Sequence, residues 1–173
     1  MRLLIALILP ALSLAPVLAL AAAAPVAAEE LADGRSGLAV PRFVSIKPSK
    51  AYLRTGPGEN YPIIWEYVRA GLPVEVIKEW GIWRQLRDSD GTTGWMNKNL
   101  LTGERHAIVT RNIRTLYEGP DLQARAVWRI EPGAVVSVTL CEAAWCRITR
   151  DGKGGYIPRN QLWGVYPTES IAD

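Results

Sequence analysis

Trp83-Arg84-Gln85-Leu86-Arg87-Asp88-Ser89-Asp90-Gly91-Thr92-Thr93-Gly94-Trp95 reads as a strand, a tight turn and a returning strand. Trp83 to Arg87 alternates with period two, the pattern of a strand with one wet face. Asp88 to Gly91 supplies hairpin turn chemistry, because Asp and Gly tolerate the left-handed conformation that such loops need. Gly94-Trp95 then opens the returning strand. The same landmarks come back at Trp145, Asp151-Gly152 and Gly155-Tyr156, at an offset of 61 or 62 residues. On either side, Ala70-Gly71 matches Pro132-Gly133, Asn99 matches Asn160, and Leu101 matches Leu162. Leu53-Arg54-Thr55 is echoed by Ile113-Arg114-Thr115 at an offset of 60. The chain is therefore a duplication of a unit of about 60 residues, with copies at 42–103 and 105–167.

Within each copy the local signals are those of short strands. Val74 to Glu79 and Ala134 to Leu140 are rich in β-branched residues, and each follows a Gly able to take the positive φ of a tight turn. No window of the repeat sustains a helical stripe, so the fold class is all-β. Five or six short strands cannot make both layers of a sandwich, but they can close into a small, partly open barrel. Domains of this size bury only about 60% of their unfolded surface. The seven Trp of the 173 residues, none of them in the first 28, can supply core that few aliphatics would fill. The link Thr102 to Arg105 is short enough to favour a packed pair of barrels.

The flanks differ from the repeats. Residues 1–28 hold a single charge, Arg2, followed by an apolar stretch and small residues at Val26 and Ala28, which is the pattern of a cleaved export signal. The rival reading is a retained N-terminal anchor, since the stretch is long enough to span a bilayer; Pro10 and Pro16 favour cleavage. Once the signal is cleaved, no stable membrane span is expected. Residues 29–41 read as a linker and 168–173 as a tail. The expected location is periplasmic or secreted. Such a protein does not meet genomic DNA, so its modest basic excess, Lys+Arg 20 against Asp+Glu 17, is not a nucleic-acid footprint.

Ala51-Tyr52-Leu53-Arg54-Thr55-Gly56-Pro57-Gly58-Glu59-Asn60-Tyr61-Pro62-Ile63-Ile64, followed by Ala70-Gly71, Pro73 to Ile77, Trp83 to Leu86 and Gly94-Trp95 to Leu100, resembles the bacterial SH3-like (SH3b) family. The second copy keeps the later landmarks, while Leu116-Tyr117-Glu118-Gly119-Pro120 departs from the family's first loop. Two copies behind an export signal resemble a two-repeat group of exported bacterial proteins. The resemblance implies barrels of five or so strands, each with a short 3₁₀ turn before its last strand, near Asn97 to Leu100 and Pro158 to Gln161.

Cys141 and Cys146 flank Glu142 to Trp145 between two expected strands, so a hairpin brings them opposite each other. In an exported chain two such Cys normally pair. The alternatives are two buried thiols or, least favoured, a metal site, for which His106 is the one available His. Neither a metal nor a cofactor is expected. Catalysis is not expected either: a Cys peptidase or a hydrolytic triad needs a His base, and His106 reads as a surface residue in the joint between copies. The acids sit in turn-like segments, where Asp is used for backbone reasons.

Binding is the expected function, and the argument is aromatic. Tyr52, Tyr61, Trp65, Tyr67, Trp80, Trp83 and Trp95 crowd the first copy beyond the needs of a small core, and rigid aromatics make platforms for extended peptides or sugars. Trp83 and Trp95 could serve mainly in packing. In related folds the groove lies between two long loops, here Arg54 to Pro62 and Glu79 to Ile82. Tyr61, Trp80 and Trp95 are the expected contact residues, with Arg54 or Asn97 supplying polar contacts. The expected partner is peptidoglycan or its peptides; the alternative is an adaptor or assembly factor that recognises another exported protein.

Overall fold

A computed structural model describes residues 35–172. The expected export signal and residues 29–34 of the expected linker lie outside the described residues. What is described is all-β, in two seven-stranded antiparallel sheets. The first comprises β1 (Arg42–Ile46), β2 (Ala51–Arg54), β3 (Ile63–Tyr67), β4 (Pro73–Trp80), β5 (Trp83–Arg87), β6 (Thr93–Asn97) and β7 (Leu101–Thr102), in the order β3-β2-β6-β5-β4-β1-β7. The second comprises β8 (His106–Val109), β9 (Arg114–Tyr117), β10 (Ala126–Ile130), β11 (Val135–Glu142), β12 (Trp145–Arg150), β13 (Lys153–Pro158) and β14 (Leu162–Trp163), in the matching order β10-β9-β13-β12-β11-β8-β14. The 3₁₀ turns fall where the resemblance implied, at Lys98–Leu100 and Arg159–Gln161.

Each sheet curls around its own core, filled from the inward face of every strand. Ile46, Leu53, Val74, Val76, Leu86 and Met96 are buried in the first, and Val109, Leu116, Val136, Ile148 and Ile157 in the second. A fully buried aliphatic side chain contributes on the order of 1.5–3 kcal/mol. The alternation of Trp83 to Arg87 places Arg84 and Leu86 inward, and Trp83, Gln85 and Arg87 outward. At Gly94 the backbones of β6 and β2 come so close that a Cβ would sit 2.8 Å from the Arg54 carbonyl oxygen. Asp151 (φ 50) and Gly152 (φ 74) make the β12–β13 turn in the left-handed region, as their residue types predict.

The register of the two sheets revises the internal alignment. Arg54 pairs with Trp95, and Tyr117 pairs with Tyr156, so Arg54 corresponds to Tyr117 at an offset of 63. Ile113-Arg114-Thr115 is not the counterpart of Leu53-Arg54-Thr55. Ile113 is an exposed residue just before β9, and buried Leu116 takes the place of Leu53. The physical reason is that a strand must put its Leu inward, whatever its neighbours spell. With that offset Gly56-Pro57 falls on Gly119-Pro120. The two loops also share their backbone bonds, Thr55 N–H to Pro62 C=O in one and Glu118 N–H to Arg125 C=O in the other.

The barrels pack against each other through the outer face of β1 and β4. Phe43 meets Trp163 edge-on, with ring centroids 5.1 Å apart, and Tyr166 at 4.7 Å. The Tyr166 hydroxyl donates to Glu75 at 2.8 Å. Burial, together with that carboxylate, raises the Tyr166 pKa above the ordinary phenol value. His106, expected at the surface, is half-buried here because the short link folds it onto Ser45 and Gly71. Ser45 donates its single hydroxyl proton to the Glu104 carbonyl at 2.7 Å, which leaves His106 Nδ1, 3.0 Å away, as the donor to Ser45. At the C-terminal end, Ile171 is buried in the second core and exchanges backbone hydrogen bonds with Cys141.

Candidate functional site

The part of the first barrel's outer face that the second barrel does not cover carries the aromatic residues. Register places Arg54, Trp95, Gln85 and Lys78 along one rung across β2, β6, β5 and β4. The rung beside it holds Asn97, Trp83 and Trp80. Partners across a sheet point to the same side, so four of the five expected contact residues share one surface: Arg54, Trp80, Trp95 and Asn97. Trp80 is 65% exposed, at the tip of the β4–β5 hairpin. Trp95 and Asn97 are half-buried, and the Asn97 side chain accepts from Asn99 N–H at 3.0 Å, which fixes the start of the 3₁₀ turn.

Tyr61 belongs to the loop beside this face. Its ring lies on Gly56 and Gly58, so closely that a Cβ at Gly56 would fall 2.3 Å from the ring. Only Gly lets the ring settle there, which leaves Tyr61 46% exposed but held in place. Arg54 ties the loop to the sheet by donating to the Tyr61 carbonyl at 2.8 Å.

Trp83, Gln85 and Lys78 complete the surface and were not expected in it. Trp83 shares its parity with Gln85 and Arg87, and that polar company is the signal that it points outward. Arg84 goes inward in its place because Glu79 meets it there, with Arg84 Nε 3.1 Å from Glu79 Oε1 and both side chains buried. Burial opposes ionisation of Glu79. The Ser36 hydroxyl and N–H, Arg42 and the Arg84 charge overcome it and hold the carboxyl at a pKa of about 2.

The second barrel keeps the surface with different residues. Tyr117, Tyr156 and Trp145 stand where Arg54, Trp95 and Trp83 stand in the first, and Tyr117 meets Trp145 edge-on at 5.8 Å. Ala124 replaces Tyr61 and Glu142 replaces Trp80. Beside Trp145 a groove of about 500 Å³ runs between Leu122, Ala144, Pro158, Asn160 and Pro167. Aligning the repeats at an offset of 60 conceals Tyr117, which is why the sequence points to the first barrel alone. Cys141 and Cys146 form a disulfide across the β11–β12 hairpin. Among the described residues no cluster of His, Cys, Asp and Glu could hold a metal ion. No helix among them is long and apolar enough to cross a membrane.

The sequence profile of the bacterial SH3 domain matches residues 47–103 and, a second time, 111–164. Among curated proteins the chain is similar to YrvJ of Bacillus subtilis (strain 168), which its name assigns provisionally to N-acetylmuramoyl-L-alanine amidase. The two are 25% identical over 116 residues, which is 61% of this chain and 22% of that protein's length. Among solved structures it is similar to an NlpC/P60 family protein from Bacillus cereus ATCC 10987, at 15% identity, 70% of this chain, 55% of that chain and a TM-score of 0.32. A second is NlpC1 from Trichomonas vaginalis, at 14% identity, 75% of this chain, 48% of that chain and a TM-score of 0.32.

Proposed function

Because the chain belongs to the bacterial SH3 domain family, with one copy in each barrel, we propose that it is an exported, non-catalytic module of the cell envelope that binds peptidoglycan or its peptides. The observation that supports this reading is the outer face of the first barrel. There Trp80, Trp83 and Trp95 lie on adjacent rungs with Asn97, Gln85, Lys78 and Arg54 between and beside them. Aromatic rings present large contact area at low entropic cost, and the interleaved amide and cationic groups suit the carbonyls and carboxylates of an extended peptide. An exposed Trp held at a hairpin tip gains by being covered. The amidase assignment in the name of the Bacillus relative is consistent with a ligand in the cell wall.

The adaptor reading draws on a different strand. Ile63, Ile64 and Trp65 of β3 are exposed, and β3 is an edge of its sheet. An edge with apolar side chains can take an extended segment of another exported protein as an added strand. Co-sedimentation of residues 29–173 with purified peptidoglycan separates the two readings. Retention that Trp80→Ala and Tyr61→Ala both weaken supports the envelope module. Retention of none of the parent protein in low salt refutes it in favour of the adaptor.

A further inference from the structure

The two barrels differ at the end away from the aromatic face. In the first, Tyr67 reaches across this end of the barrel, 7% exposed, and its hydroxyl donates to Asp88 Oδ2 at 3.0 Å. The register makes Ile130 the counterpart of Tyr67, since they pair with Arg114 and Ala51 at equivalent positions of β9 and β2. Arg150 is likewise the counterpart of Asp88, one residue beyond the paired positions Thr149 and Arg87. Both replacements line the same cavity of about 450 Å³, floored by Leu116, Val136 and Ile148 and flanked by Trp128. That volume lies within the range of small-molecule sites.

The replacements reverse the chemistry as well as emptying the space. In the first barrel an aromatic donor is met by the acceptor Asp88. In the second, the group at that place is the donor Arg150, whose exposed ion pair with Asp151, 3.3 Å long, costs little to exchange. Lys153 lies over the Trp128 ring at 3.9 Å; Arg129 is also at the rim, as are the acids Glu131 and Asp151. The rim therefore carries three cations and two anions. A ring of the size of the missing phenol fits the apolar floor, and an anionic acceptor fits Arg150.

We propose that the open end of the second barrel is a binding site for an aryl group carrying a carboxylate, either a free arylalkanoate or the aromatic C-terminus of a peptide. The site is separate from the aromatic face and does not depend on what that face binds.

Titration of the full chain with hydrocinnamate, followed by tryptophan fluorescence and calorimetry, tests this. Saturable binding is expected, about tenfold tighter than for the neutral hydrocinnamamide, the usual ratio for a charge-assisted hydrogen bond. N-acetylglycyl-phenylalanine presents the same groups at a chain end, and the tighter of the two acids identifies the source. Ile130→Tyr is expected to abolish binding by filling the cavity. The double variant Ile130→Tyr/Arg150→Asp restores the Tyr–Asp pair of the first barrel, so it folds and also fails to bind. Arg150→Gln is expected to erase the preference for acid over amide. No saturable binding of either acid, equal binding of acid and amide, or undiminished binding by the double variant would overturn the proposal.

Discussion

Glu79 and Arg84 face each other across the β4–β5 hairpin on the rung that Cys141 and Cys146 hold in the second barrel. A buried ion pair in one copy stands where a disulfide stands in the other. Both rungs also anchor a segment that flanks the repeats: Ser36 bonds to Glu79, and Ile171 bonds to the backbone of Cys141. The hairpin tip that carries Trp80 is thus locked to the N-terminal segment, and its counterpart to the C-terminal one.

The ion pair makes the first barrel sensitive to acid. The folded pKa of Glu79, about 2, lies below its ordinary value of 4.5. Its contribution is therefore complete above that ordinary value and is lost as pH falls from there toward 2. The difference corresponds to roughly 3 kcal/mol. Urea unfolding measured between pH 6 and pH 2, taken as roughly the span of carboxylate titration, is expected to show a steeper loss of stability for the parent than for Glu79→Gln. Equal slopes would contradict the assignment.

How far the sequence could be read depended on what each residue had to satisfy. The turns and the all-β class were legible because Asp151-Gly152 and the Gly before each long strand have few other uses. The disulfide was legible from a short spacing across a hairpin. The alignment of the second loop was not, because Ile113-Arg114-Thr115 imitates Leu53-Arg54-Thr55 and only the inward turn of Leu116 reveals the true offset. The burial of Arg84 was hidden too, since it depends on Glu79, Arg42 and Ser36 converging from three separate segments. Trp80 and Trp95 could be named from their residue type, but their sharing a face with Lys78 and Gln85 needed the bulge between Val76 and Lys78.

The disulfide contributes by the same rung. A closed loop of six residues is worth about 2 kcal/mol on the loop-entropy estimate. Non-reducing mass analysis after alkylation is expected to show no free thiols. Cys141→Ser/Cys146→Ser is expected to lower the stability of the second barrel by about that amount, while leaving the acid sensitivity attributed to Glu79 unchanged. Two alkylated thiols in the unreduced protein would contradict this.

The joint is expected to couple the barrels. Phe43 packs on Trp163 and Tyr166, and Tyr166 bonds to Glu75, which also pairs with Arg87. Truncation by Phe43→Ala removes the aromatic contacts, worth about 0.5–1.5 kcal/mol each beyond the buried area. Calorimetry is expected to resolve two unfolding transitions in Phe43→Ala where the parent shows one. A single transition in both would mean that Phe43 does not couple them.

The binding face can be judged by one number, the ratio of dissociation constants of Trp80→Ala and the parent for a soluble peptidoglycan fragment. Trp80 is the most exposed of the aromatics on that face, and a Trp at the centre of a contact commonly carries 2 kcal/mol or more, so a loss of at least about tenfold is expected, with the fold unchanged by circular dichroism. Equal affinity for the two proteins, with the parent binding measurably, would show that the ligand does not lie on the aromatic face of the first barrel.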